Sequence, residues 1–167
     1  MIAGINLETE GRSSIAVMGE KLEIHSAKTN EEIIQALPED VQIVAVNAPI
    51  EPVEGLSEKE EELIEEGFQF APSTQNRDLN RRAVHLKQLM FEKGLDAEFI
   101  RFDEMISSEE LAIDGDQALE GYGVDTSVIG DADEFDAVIG SVTARFYQQD
   151  QCRDLGVQVP EGIEQNT

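Results

Sequence analysis

Apolar residues along this chain recur in two patterns, one typical of β-strands and the other typical of amphipathic helices. Largely apolar or alternating runs at residues 2–8, 13–18 and 21–27 are separated by short glycine-containing turns, which predicts an antiparallel meander of three strands. Residues 41–49 form a β-branched run of the kind that is buried on both faces of a sheet. A shorter run at residues 96–102 completes a predicted set of five strands.

Segments with apolar residues at helical spacing lie between and after the later predicted strands. Thr29 and Glu32 have the spacing of a capping box and begin a helix that ends at Pro38. Residues 77–93 carry leucines at helical spacing, and residues 133–147 place apolar side chains along one stripe of a long final helix. The sequence therefore predicts the order β-β-β-α-β-α-β-α, an α/β fold with a mixed five-stranded sheet flanked by helices.

The segment between the fourth strand and the second helix has a different character. Residues 53–75 are largely acidic around a short capped helix, and we interpret them as an insertion or lid. Because the sequence contains no internal repeat and no linker, residues 1–150 are predicted to form a single domain that includes this insertion. Residues 151–167 show little periodicity and are predicted to be a flexible C-terminal tail.

The chain is strongly acidic, since 36 Asp and Glu against 12 Lys and Arg give a formal net charge of −24. The acids are spread over the whole sequence. This distribution favours a solvated surface adapted to a high-salt, halophilic cytoplasm over an acidic tail or a nucleic-acid mimic. Such a charge also argues against binding nucleic acid by electrostatics alone, because phosphate contacts need basic side chains.

The expected cellular setting follows from features that the sequence lacks. Cys152 is the only cysteine, so neither an internal disulfide nor a cysteine zinc site is expected, and a reducing cytoplasm is the predicted setting. No apolar run approaches the length of about 18 residues that a membrane span needs, so no membrane association is expected. The N-terminal residues are typical of a first strand and not of a signal peptide.

Four segments resemble the motifs of one protein family, in the same order along the chain. They are the opening strand pair GINLETEGRSSIAV, the strand end VAVNAPIEP, the helix FAPSTQNRDLNRRAVHLKQLMFEKG and the closing helix DADEFDAVIGSVTARFY. Together they resemble an uncharacterised (domain-of-unknown-function) family of predicted nucleases with a ribonuclease-H-like fold, in an acidic form of haloarchaeal type. The resemblance covers nearly all of residues 2–147, and it implies this fold together with phosphodiester hydrolysis.

In nucleases of this fold, carboxylates at the ends of the first and fourth strands and on the last helix hold divalent metal ions. The resemblance places these catalytic positions at Asn6, Asn47 and Asp136, with Asp133 nearby as a further metal ligand. Glu8 lies two residues beyond Asn6, on the same face of the strand, and is a candidate replacement ligand. Each asparagine offers a neutral carbonyl oxygen in place of a charged one, so any Mg²⁺ or Mn²⁺ site is weakened. The alternative role of Asn6 and Asn47 is structural, with their amides bridging backbone groups at the strand ends.

The final helix carries small residues beside its aspartate. Asp136, Gly140 and Thr143 lie on one side of the helix at about 100° per residue, which indicates a close approach to the sheet. Such an approach would present the Asp136 carboxylate to the strand ends. The alternative is a helix N-terminus whose acids suit the helix dipole.

One helix concentrates much of the positive charge of the chain. Arg77, Arg81, Arg82 and Lys87 lie within the predicted helix at residues 77–93 and form the candidate nucleic-acid-binding patch. The alternative is that these bases pair with acids of the preceding insertion.

Two hypotheses for function follow from these patterns. The first is a member of a metal-dependent nuclease family whose metal site is degenerate at Asn6 and Asn47. The second is a non-catalytic protein that uses the same cleft to bind nucleic acid, a small ligand or a protein partner. Convergence of Asn6, Asn47 and Asp136 would leave room for a metal ion, whereas an Asn47 side chain engaged in hydrogen bonds within the fold would argue against cleavage.

Overall fold

The five apolar runs form the central sheet of the structure, a computed structural model that describes residues 1–72 and 75–162. The strands are β1 (Ile2–Asn6), β2 (Ser13–Met18), β3 (Leu22–Ala27), β4 (Ile43–Val46) and β5 (Glu98–Arg101). They lie side by side in the order β3-β2-β1-β4-β5. The first three strands pair antiparallel through short turns, whereas β1, β4 and β5 run parallel. The predicted mixed five-stranded sheet is confirmed.

Helices flank this sheet on both faces. They are α1 (Asn30–Ala36), α2 (Glu58–Glu65), α3 (Arg77–Glu92), α4 (Glu104–Glu110), α5 (Asp116–Gly121) and α6 (Ala132–Gln148), with a 3-10 turn at Thr126–Val128. Side chains on one face of the sheet pack with α1 and α3, and those on the other face pack with α6. Every residue of the central strands β1 and β4 is buried, as their nearly continuous apolar sequences predict.

A very close contact between helix and sheet joins α6 to β1 at two glycines. A β-carbon on Gly4, in the middle of β1, would overlap the carbonyl oxygen of Ala137 and the amide nitrogen of Ser141. On the helix side, a β-carbon on Gly140 would come within 3.2 Å of the Gly4 Cα. Both positions therefore need glycine for space, and the contact fixes where α6 crosses the sheet.

The C-terminal segment forms a small hairpin. Its strands are β6 (Cys152–Asp154) and β7 (Gln158–Pro160), paired antiparallel. Apolar side chains of the hairpin bury against α2 and α4 in a separate small core made of Leu63, Ile106, Leu155, Val157 and Val159. This packing differs from the flexible tail predicted for residues 151–167. The strands are only three residues long, so their alternation is too brief to stand out in the sequence; residues 163–167 lie outside the described residues.

Polar contacts anchor the acidic insertion as well. Arg153 of the hairpin donates to both carboxylate oxygens of Glu66, at 3.0 and 3.2 Å. Inside the protein, Arg101 at the end of β5 lies 3.7 Å from Glu60 of α2, and their side chains are 9% and 1% exposed. The segment predicted as an insertion or lid is thus attached to the body at α2, while its residues 73 and 74 lie outside the described residues.

We expect Gly4→Ala to destabilise the protein by about 3 kcal/mol, because overpacking would push the α6 backbone away from β1. Gly121→Ala, at the end of α5, is the matched control, since a β-carbon there meets open space and should be nearly neutral. Thermal unfolding of the two variants in parallel measures the difference. Equal stability of Gly4→Ala and the unmodified protein would show that the contact is not tight.

Candidate functional site at the carboxyl edge of the sheet

The parallel strands β1, β4 and β5 end at one edge of the sheet, the place where ligands bind in open α/β folds. The last paired residues are Ile5 with Val46, and Val46 with Arg101. The polar residues that follow the three strands therefore meet at this edge, and they are Asn6 with Glu8, Asn47, and Asp103 with Glu104. The first turns of α6 reach the same edge, because Asp136 lies one turn before the Gly140 contact with β1.

Asn47 joins the ends of β1 and β4 through its side-chain amide. Its Nδ2 donates to Asn6 Oδ1 at 2.8 Å and to the Leu7 carbonyl at 3.2 Å. Its Oδ1 accepts from the Leu7 N–H at 2.8 Å, so the amide continues the parallel ladder beyond Val46 in place of a peptide group. Asn6 is 5% exposed, and its Nδ2 donates to Glu8 Oε1 at 3.5 Å. This is the arrangement expected for a structural role of the two asparagines.

The two-metal centre implied by the fold does not fit this pair. The Oδ1 atoms of Asn6 and Asn47 are neutral, and each already accepts a hydrogen bond from within the protein. Within residues 1–72 and 75–162, no group of three or more His, Cys, Asp or Glu side chains is placed to hold a metal ion. Mg²⁺ gives up its water reluctantly and needs anionic oxygens to offset that cost. The two strand ends therefore offer a metal ion less negative charge than a pair of carboxylates would.

Four acidic side chains near the asparagine pair interact through their charges, and we call Glu8, Glu104, Asp133 and Asp136 the carboxylate cluster. Burial, followed by the negative charges of Asp133 and Glu8, raises the pKa of Asp136 to about 6. Burial and then Asp133 raise the pKa of Glu8, while the nearby Arg82 acts in the opposite direction. Burial and then Asp136 raise the pKa of Glu104. The cluster is therefore partly dehydrated and under mutual repulsion.

Arg82 of α3 holds the loop that follows β1. Its guanidinium donates to the backbone carbonyl of Glu8, to Asn30 Oδ1 at 3.1 Å and to the Lys28 carbonyl at 3.0 Å. These partners belong to the β1–β2 turn, the start of α1 and the end of β3. Arg82 thus positions the backbone of Glu8 and leaves fewer of its donors for an external phosphate.

The other three bases of the predicted patch differ in their surroundings. Lys87 pairs with the Glu51 carboxylate, just beyond β4, and Arg81 lies 3.4 Å from Asp78 on its own helix. Arg77 lies at an exposed position at the start of α3. Acidic neighbours compensate two of these charges, and the role of the patch in nucleic-acid binding stays a prediction.

Two buried charged residues at this edge were not singled out by the sequence patterns. Asp103 caps α4 by accepting from the N–H groups of Met105 and Ile106, and it also accepts from the Ala71 N–H at 2.9 Å. Arg101 donates to the Ala71 carbonyl at 3.1 Å. Together they fix the end of the insertion against β5. The one signal for them in the sequence is their place, with Glu104, directly at the end of an apolar strand in the run FIRFDE.

Strand order, parallel edge and closing helix together define a ribonuclease-H-like fold. Among solved structures, the chain is similar to T. thermophilus RuvC in complex with Holliday junction substrate, with a TM-score of 0.53 and 16% sequence identity. The match covers 95% of this chain and 98% of that chain, and at this identity it shows the fold alone. No family model matches the chain, and no curated protein matches it. Within the described part of the chain, no helix is long and apolar enough to cross a membrane.

We expect Asp136→Asn to stabilise the protein at neutral pH. The folded-state pKa of about 6 lies above the ordinary value of 3.8, so folding favours the protonated carboxyl. The resulting penalty is absent below about pH 4 and complete above about pH 6. Removing the charge should therefore raise the free energy of unfolding at pH 7.5 by about 1 kcal/mol, after allowance for solvent screening at this half-buried position.

The measurement is thermal unfolding of Asp136→Asn and the unmodified protein from pH 4 to pH 8. The exposed Asp96→Asn, in the loop before β5, is the matched control with the same loss of charge. A gain for Asp136→Asn that is equal at pH 4 and pH 7.5 would contradict the raised pKa of Asp136 in the folded protein.

Proposed function

We propose that this protein is a non-cleaving relative of the metal-dependent nucleases of its fold. In this proposal it acts as a binding protein through the carboxyl edge of β1, β4 and β5, and nucleic acid is its partner. The ribonuclease-H-like fold and the likeness to a RuvC structure that holds a Holliday junction substrate support nucleic acid as the partner class. The chain's own asparagine pair supports the loss of cleavage.

One observation carries the proposal. Asn47 uses both atoms of its amide inside the protein, to Asn6 and to the Leu7 backbone, at the two strand ends where nucleases of this fold place carboxylates. A carboxylate at position 47 could not donate these hydrogen bonds. Its negative charge would also repel the partially negative oxygens of Asn6 and Leu7. The amide therefore stabilises the edge without the cation that two carboxylates would require.

The charge of the protein bears on how it would hold nucleic acid. With a net charge of −24 and bases that face acidic or backbone partners, contacts to phosphates supply little affinity. We propose that the acidic surface is an adaptation to a high-salt cytoplasm, where such contacts are weakened further. Binding would then depend on contacts to uncharged groups of the nucleic acid, such as its bases.

A single-metal hydrolase is the second candidate function. The observation that favours it is the carboxylate cluster, because mutual repulsion among Glu8, Asp133 and Asp136 would be relieved by a bound cation. In that case Glu8 and Asp136 would be the ligands, and the asparagine pair would only position Glu8. The following experiment separates the two candidates.

We expect the unmodified protein to show no Mn²⁺-dependent rise in melting temperature and no cleavage of single-stranded DNA, single-stranded RNA or a four-way DNA junction in high salt. The double variant Asn6→Asp, Asn47→Asp should lose roughly 2–4 kcal/mol of stability in EDTA, because it loses amide donors and gains two charges at a buried edge. Mn²⁺ should restore part of that loss. Thermal unfolding with and without Mn²⁺ and gel assays of the three substrates measure these effects.

Asp136→Asn in the otherwise unmodified protein is the control for the single-metal candidate. Mn²⁺-dependent stabilisation or cleavage by the unmodified protein that disappears in Asp136→Asn would overturn the non-cleaving proposal in favour of that candidate. Cleavage that appears only in the double variant would support a nuclease ancestry whose activity the asparagines removed.

A further inference from the structure

A cavity of about 390 Å³ lies beside Asn47, between the ends of β4 and β5 and the start of α3. Its lining consists of Asn47, Ala48, Pro49, Ala71, Pro72, Gln75, Asn76, Leu79 and Arg101. The volume lies at the lower end of the range of about 300–1,000 Å³ that is typical of small-molecule sites. Asn47 forms its wall on the β1 side, so the cavity lies at the same edge as the carboxylate cluster.

None of the described residues that line this cavity is a carboxylate. Four other cavities in the described part of the chain each include acidic residues, namely Glu98 and Asp150, Glu10 and Glu31, Glu20 and Asp125, and Asp116 with Asp131 and Asp136. In a chain with 36 acids among 167 residues, an acid-free lining beside the functional edge sets this cavity apart. An electron-rich or phosphate-bearing ligand meets no direct repulsion from its walls.

The one charged residue of the lining is held in place and compensated. Arg101 is 9% exposed, donates to the Ala71 carbonyl at 3.1 Å and lies 3.7 Å from Glu60. Its charge is therefore balanced inside the protein, and the cavity is close to neutral.

The remaining walls combine apolar surfaces with amides. Alanine, proline and leucine side chains supply flat, uncharged contacts, while Gln75 and Asn76 place amide groups around them. The Asn47 amide is engaged by Asn6 and the Leu7 backbone and serves as a wall. Amides both donate and accept, which suits the mixed edges of a heterocyclic base and gives no advantage to a simple ion. A planar, uncharged ring with hydrogen-bonding edges matches every part of this lining.

We propose that this cavity binds one unpaired nucleobase, either as a free nucleoside or as part of a single-stranded nucleic acid. The inference rests on the proposed function as a nucleic-acid-binding protein and names the group that the edge recognises. Because recognition is by stacking and hydrogen bonds to the base, affinity should depend weakly on salt, unlike affinity that comes from phosphate contacts.

The test uses the full chain, titrated in low and in high salt with each of four ribonucleosides, with a short single-stranded oligonucleotide and with the blunt duplex of the same sequence. Calorimetry measures affinity in every arm. We expect binding of at least one nucleoside and of the single strand at both salt concentrations, and no binding of the duplex, whose bases are paired. Nucleoside binding without single-strand binding would identify a free nucleoside as the ligand.

Two variants introduce a carboxylate into the cavity with little risk to the fold. Asn76→Asp preserves the cap of α3, where the side chain accepts from the Leu79 N–H, and Gln75→Glu changes an exposed side chain. Each should weaken binding at least about tenfold, because an amide donor becomes a charged acceptor. Gln117→Glu, exposed on α5 away from the cavity, adds the same charge and should leave affinity unchanged.

The outcomes separate this inference from the proposed function. Single-strand binding that both cavity variants leave intact would overturn the cavity assignment while the binding function stands. No binding of any probe would overturn both. Mn²⁺-dependent cleavage by the unmodified protein, with base binding still lost in Asn76→Asp, would overturn the non-cleaving function and leave the cavity assignment in place.

Discussion

The close approach of α6 to β1 at Gly4 and Gly140 is the constraint on which the rest of the site depends. With no side chain on either residue, the helix backbone lies directly on the central strand. This contact sets where the first turns of α6 meet the sheet edge, and so it brings Asp136 close enough to Glu8 for their charges to interact. Wider spacing between helix and strand would separate these carboxylates and reduce the repulsion that, after burial, raises the pKa values of Asp136 and Glu8.

The same helix also determines what surrounds the edge. Thr143 of α6 is fully buried, and its hydroxyl hydrogen-bonds to Ser107 of α4 at 2.8 Å. Because α4 begins at Glu104, this buried bond helps to place a fourth carboxylate beside Asp136. One helix thus organises acidic residues that come from three different parts of the sequence.

Strand patterns predict the sheet well for a physical reason: β1 and β4 are buried on both faces, so their sequences are almost entirely apolar. The positions of Asn6 and Asn47 follow equally well, since residues after parallel strands must meet at one edge. The hydrogen bonds between the two asparagines cannot be predicted from the sequence, because they depend on the orientation of each side-chain amide. Arg82 is harder still to predict, as its partners lie on three separate elements.

The C-terminal hairpin and the buried Arg101 show a second limit of sequence patterns. Leu155, Val157 and Val159 gain their partners only from α2 and α4, which are distant in the chain, so local composition carries little sign of their burial. Arg101 ends an apolar strand and is matched by Glu60 from the acidic insertion. Nothing in the sequence distinguishes Glu60 from the other acidic residues, 36 in all, as the one that will be buried.

Charge divides the carboxyl edge into two halves with different chemistry. On the side of β1 and α6, burial and neighbouring negative charges raise the pKa values of Glu8 and Asp136. On the side of β4, the Asn47 amide and the compensated Arg101 add no net negative charge, whereas Asp103 and Glu104 follow β5. Asn47 lies at the boundary, and an aspartate there would extend the acidic half across the whole edge. In the proposed function, the neutral amide at this position spares an electron-rich partner one further carboxylate in a chain of net charge −24.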